Sequence, residues 1–189
     1  MKFWPVPDSY EKLPPEGGAP GSFWENRGDR HHCGVDIYAP KGSTVHSVEE
    51  GEVIETGVFT SPEKVAYWNT TYYVLVKHRN GLASKYAELG DVVLKAGDSV
   101  KRGQIIGHVG SVLNEEKVTL DSPPYIQLLK KNGHPCMLHF ELYDRMPAVP
   151  EHYLGGNVFI SLKPENLLDG TAYLSEAASA QRAEKGPGE

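Results

Sequence analysis

The chain has 189 residues, 39% of them hydrophobic and 23% charged, with 20 glycines and 14 prolines. That length supports one domain with its own core, and the glycine and proline content favours short strands and turns over long helices. The net charge of −6, with basic residues scattered, argues against a nucleic-acid or anionic-membrane partner, and the longest apolar run, Tyr72 to Val76, falls far short of the roughly 20 residues of a membrane span.

Residues 1–20 hold five of the 14 prolines and no apolar periodicity, which predicts an extended N-terminal arm packed through Phe3 and Trp4. The opening MKFWPVPDSYEKLPPEGG lacks the pattern of a secretory signal, and the compartment stays open. A working domain over 21–174 follows. Its strand signals come in quick succession: Thr44 to Val48, Glu52 to Thr56, and Tyr72 to His78, the last stopping at the hairpin pair Asn80-Gly81. Leu82 to Glu88 reads as the return strand, followed by Val92 to Leu94, Gln104 to Val109 and Leu138 to Leu142. One short helix is predicted at Pro124 to Lys131, where Tyr125, Leu128 and Leu129 fall at helical spacing. The Ala-rich, polar stretch 175–189 reads as a flexible C-terminal tail with at most a frayed short helix. The fold class is all-β, mainly antiparallel, with little helix.

Two segments carry the candidate chemistry. In His32-Cys33-Gly34-Val35-Asp36 a helix is disfavoured by Gly34 and the β-formers around it, yet a bend at Gly34 can turn His32 and Asp36 onto one ion. Imidazole and carboxylate are ordinary zinc ligands, although a surface His beside a turn Asp is the commoner meaning of such a pair. In Met137-Leu138-His139-Phe140-Glu141-Leu142, strand alternation sets Leu138, Phe140 and Leu142 toward the core. Met137, His139 and Glu141 then share the opposite face, where His139 can supply a third ligand. Cys33 and Cys136 flank these segments and are expected as buried thiols, too few for a disulfide framework. His134, in a Gly-His-Pro loop, is a remoter candidate, and His78 reads as a strand residue.

The order HCGVDIYAPKGSTVHSVEEGEV (32–53), VLVKHRNGLASKYAEL (74–89), KAGDSVKRGQIIGHVGS (95–111) and MLHFEL (137–142), closed by LLDGTAYL (167–174), resembles the lysostaphin-type (β-lytic) zinc metalloendopeptidases. That family cuts the peptide cross-links of bacterial peptidoglycan. The resemblance implies a two-layer antiparallel β core of the duplicated-hybrid-motif type with a groove across it. It also implies Zn2+ held by His32, Asp36 and His139 with a fourth position left to water, and a peptidoglycan or other peptide as substrate. The sequence departs from the family pattern twice. Glu88 stands where Tyr-Ala-His-Leu has its His, and Met137 stands where the first His of His-x-His belongs. A carboxylate can act as general base or as a further zinc ligand, or it can point to solvent; a thioether donates no hydrogen bond. Either an active peptidase using Glu88 or an inactive zinc-binding homologue serving as a cell-wall-binding or regulatory module is therefore compatible with the residues.

Overall fold

The computed structural model describes residues 1–146, 152–160 and 162–185. Among them nine strands form one largely antiparallel sheet: β2 (Val35–Tyr38), β3 (Thr44–His46), β4 (Gly51–Thr60), β5 (Thr71–His78), β6 (Ala83–Val92), β7 (Ser99–Val100), β8 (Ile105–Val109), β9 (Met137–Tyr143) and β12 (Leu167–Leu168). A smaller sheet joins β1 (His31–His32), β11 (Asn157–Val158) and β10 (Tyr153–Leu154). The all-β expectation holds.

The central strand is β6, which runs longer than the sequence suggests. Residues Ala83 to Ala87 pair with β9, whereas Leu89 to Val92 pair with β8. The change of partner falls at Glu88, whose φ of +61° marks a bulge, and the β5–β6 register shifts at the same place. A bulge bends its strand and re-aims one side chain. Of the separate strand expected at Val92 to Leu94, only Val92 lies in a strand, as the last residue of β6, and Val93 and Leu94 follow outside it.

Because the sheet bends there, strands that never pair share a core. Val45 of β3 and Ile106 of β8 pack in one cluster with Val35, Val74, Tyr86, Leu138 and Phe140. The expected apolar trio of β9, Leu138, Phe140 and Leu142, belongs to that cluster.

Among the described residues two α-helices lie outside the sheet. α1 (Pro124–Asn132) starts with proline in its first turn, where a missing N–H costs nothing, and ends at Gly133 with φ +66°. α2 (Thr171–Lys185) corrects the flexible-tail expectation for 175–189: residues 175–185 are helical, and 186–189 lie outside the described residues. Tyr173, Leu174, Ala177 and Ala178 are buried in the main core, a stripe at helical spacing that anchors the helix. The arm lies beside it. Trp4 and Val6 are fully buried in the same core, Phe3 N donates to Val48 O at 2.9 Å, and Lys2 pairs with Glu176.

Candidate metal centre

Asp36 on β2 lies directly opposite His139 on β9 in the antiparallel register. Cross-strand neighbours face the same side of a sheet, so strand pairing alone brings these side chains together. His32 arrives from β1, which β11 holds through the His32–Asn157 pairing, and Gly34 makes the bend between β1 and β2. A Cβ at Gly34 would lie 2.6 Å from Phe140 O and 2.7 Å from His139 Cε1. A Cβ at Gly156 would lie 2.5 Å from the same Cε1. Two glycine backbones thus approach the imidazole closely.

His32 Nε2, Asp36 Oδ1 and His139 Nδ1 form a triangle with sides of 2.9, 3.0 and 3.1 Å. All three residues are at most 5% exposed. His32 Nδ1 lies 2.8 Å from Ser22 O and donates its proton there. His139 Nε2 lies 2.9 Å from Glu141 Oε1 and donates likewise. In the neutral rings the inner nitrogens then carry lone pairs, aimed at each other and at a carboxylate oxygen. Three acceptors without a proton between them repel unless a cation joins them. This donor set, with the outer nitrogens engaged, fits zinc.

A proton can stand in for that cation: on His139 it lies between Nδ1 and Asp36 Oδ1. Burial alone would raise the Asp36 carboxyl, but His32 and the hydrogen bond from His139 hold it well below the carboxylate range. Burial would lower the His139 imidazole, yet its bonds to Asp36 and Glu141 push it up to about 9. The cluster draws in positive charge. His32 is lowered, by burial and then by Arg27, and so stays a neutral donor.

Glu88 lies outside this triangle but lines the same cavity of about 20 Å³, along with Asp36, His139, Met137, Arg27, Tyr125 and Asn157. It is buried, which removes the solvent-facing alternative, and among the described residues its Oε2 has no hydrogen-bond partner. Burial, and then the charge of Asp36, pushes its carboxyl up to about 8. Met137 is buried against Trp68, Val112 and Ile126, contributing shape and no donor. His134 faces Tyr10 and Tyr38 instead, in an adjoining pocket of about 120 Å³. His78 is held by Glu50 O and Ser84 Oγ, as a structural strand residue should be. Cys33 and Cys136 are free thiols, the first buried and the second half-buried.

Two participants escape the sequence reading. Glu141 was placed on the His139 face by alternation, but its work was not visible. Fully buried, it accepts from His139, from Tyr153 OH at 2.6 Å and from Tyr143 OH, and pairs with Lys85 Nζ at 3.0 Å. Arg27, from a loop with no periodic signal, donates to Asp36 Oδ2 at 3.2 Å. Its guanidinium lies over the Tyr125 ring at 4.6 Å. Burial would lower its pKa, but Asp36 and Glu25 raise it above the ordinary value, so it stays charged.

A mostly antiparallel β domain thus presents a buried His–Asp–His triangle, its rings oriented by a carbonyl and a carboxylate, whose three donor atoms could hold a metal ion. The sequence profile of peptidase family M23 matches residues 30–149, and the chain belongs to that family. The chain is 27% identical over 152 residues to the glycyl-glycine endopeptidase ALE-1 of Staphylococcus capitis, which covers 79% of this chain and 38% of that protein. It is 34% identical over 82 residues to the DD-carboxypeptidase/endopeptidase Mpg of Neisseria meningitidis, 43% of this chain and 17% of the relative. The chain thus spans well under half the length of these relatives. The solved structure of lysostaphin from Staphylococcus simulans shares the fold with a TM-score of 0.52 at 21% identity, over 92% of this chain and 56% of that one.

Proposed function

We propose that the protein is a zinc-dependent endopeptidase hydrolysing peptide bonds in peptidoglycan cross-links, with His32, Asp36 and His139 holding the ion and Glu88 as general base. The observation that carries this reading is the triangle of three lone-pair donors whose outer ring nitrogens are already hydrogen-bonded. Membership of family M23 and the endopeptidase names of the relatives support the reaction type.

Bound zinc supplies Lewis acidity, lowering the pKa of water and polarising a carbonyl oxygen. The chain's own residues do the rest. Ser22 O and Glu141 fix the two imidazoles in the ligating tautomer. Glu88 has an unpartnered, buried oxygen facing the same cavity, free to take a proton from attacking water. Burial, and then Asp36, raises the Glu88 carboxyl to about 8, and a cation held by the three donors would favour its ionised form. Tyr125, Ile126 and Leu129 of α1 and the turn at Gly155 line the cavity together with Glu88.

The test is metal analysis of the purified protein followed by cleavage of cross-linked cell-wall peptides with and without chelator. Glu88→Gln should retain zinc and lose turnover, since the amide keeps the shape but cannot accept the proton. Zinc loss in that variant would instead make Glu88 a ligand. Met137 favours a second reading, a zinc-binding module without turnover, because the position offers no hydrogen-bond donor. Zinc-loaded wild type that cleaves nothing, beside a Glu88→His, Met137→His double variant that cleaves, would establish this second reading.

A further inference from the structure

We infer that Arg27 is the group that receives the negative charge developing on the carbonyl oxygen during hydrolysis, the task for which position 137 offers only a thioether. The inference rests on the hydrolytic reading above and adds a catalytic residue to it. Apart from His139, Arg27 is the one cationic side chain among the described residues lining the cavity. It is fixed from three sides: Nε donates to Glu25 Oε2 at 3.0 Å, one Nη to Asn157 Oδ1 at 3.2 Å, and the other Nη to Asp36 Oδ2 at 3.2 Å. The ring of Tyr125 supports its face.

A guanidinium has five N–H donors, and these bonds use three. The two that remain sit on the terminal nitrogens, beside Asp36 and Asn157, both of which line the cavity. The side chain is only 9% exposed, so its charge acts at low dielectric and needs no reorganisation when the oxyanion forms. Among the other polar groups lining the cavity, Thr60 gives its one hydroxyl proton to Asn69 O and accepts from Thr71. Glu88 and Arg27 therefore stand in one cavity as acceptor and donor.

The chemistry balances with water as co-reactant. The water oxygen bonds to the carbonyl carbon, its proton passes to Glu88, and the C=O π pair moves onto the carbonyl oxygen, where the spare Arg27 N–H groups bond it. The pair then returns, the C–N bond breaks, and the proton held by Glu88 goes to the leaving nitrogen.

The experiment compares zinc-loaded wild type, Arg27→Gln and Arg27→Lys by zinc content, by kcat and KM on a cross-linked cell-wall peptide, and by calorimetric affinity for a phosphinate peptide, a tetrahedral anion. Arg27→Gln should keep its zinc and lose roughly 100–1,000-fold in kcat, with KM changed by less than about threefold. Its phosphinate affinity should fall by a similar factor, and Arg27→Lys should regain part of both. A loss confined to KM would make Arg27 an anchor for a substrate carboxylate and overturn the inference. Unchanged kcat, or zinc loss in both variants, would overturn it too. Wild type that cleaves nothing would refute the hydrolytic reading, and the phosphinate then decides this one. Weakened binding in Arg27→Gln sustains it, whereas equal binding in the two proteins, or none in either, defeats it.

Discussion

The His139 imidazole and the Glu141 carboxylate, two residues apart on one face of β9, are joined Nε2 to Oε1 at 2.9 Å in a fully buried setting. Burial would raise Glu141, but the Lys85 charge and the bond from His139 hold it well below the carboxylate range, so it stays ionised. Glu141→Ala should weaken zinc binding about 10–100-fold, as loss of an orienting carboxylate does. Leaving Lys85 without its partner should also cost about 3–5 kcal/mol of stability. Competition with a chromophoric chelator and urea unfolding measure the two effects.

Gly156 approaches that ring closely. It has φ +75°, and an added Cβ would sit 2.5 Å from His139 Cε1. Gly156→Ala should therefore both lower stability and weaken metal binding. Gly42 has φ +85° with nothing within 4 Å of its added Cβ, so Gly42→Ala reports the backbone strain alone, about 1–3 kcal/mol. Zinc titration should separate the variants: Gly42→Ala binds normally and Gly156→Ala does not.

Chelation should leave the β circular dichroism signal intact. The main core around Val35, Tyr86, Leu138 and Phe140 contains none of the three donors, unlike a zinc finger, whose folding depends on its ion. Zinc at 100 times its dissociation constant adds about 2.7 kcal/mol. Thermal melts should accordingly show a fall of about 5–10 °C on metal removal, with cooperativity kept. Unfolding on chelation at room temperature would contradict this.

His78 predicts an acid-sensitive step. Burial, the largest influence, holds its imidazole below the ordinary value despite the bond to Glu50 O. The unfolded chain then takes up the proton first as pH falls. The fold keeps His78's full contribution above about pH 6.5 and loses it progressively below, until the folded-state pKa is reached. His78→Gln should flatten the stability slope between about pH 6.5 and 5 relative to wild type, as read from urea midpoints across that range.

Leu174 tests whether the C-terminal helix is part of the fold. It is fully buried in the main core. Leu174→Ala should cost about 2–5 kcal/mol in urea unfolding, whereas a residue in a flexible tail would cost nothing.

Where the sequence was legible, a physical period was at work. Alternation in β9 separated the core trio from His139 because one face must be apolar, and Asn80-Gly81 marked its hairpin. The illegible parts lack such a period. Glu88 adopts φ +61° without being glycine, so nothing local announces the bulge that bends β6 and turns this side chain into the cavity. Beyond Leu174 the stripe on α2 is carried by alanines, whose small apolar surface leaves a polar-looking sequence although Ala177 and Ala178 are buried. Arg27 reaches the site only because its loop is folded against Asn157 and Tyr125, contacts set by distant parts of the chain.

The pairing of Asp36 with His139 also orders events in time. The two residues are 103 positions apart, and closing so long a loop is slow and entropically unfavourable until the strands between them have collected. Two donors are local, but the third arrives only when β9 has docked against β2 in the right register; a slip of one residue would turn His139 to the opposite face and set Phe140 or Leu138 in its place. The ion cannot seed this topology. An ion that needs all three donors would bind only after that pairing, so metal uptake during refolding should mark the molecules whose strands have paired correctly.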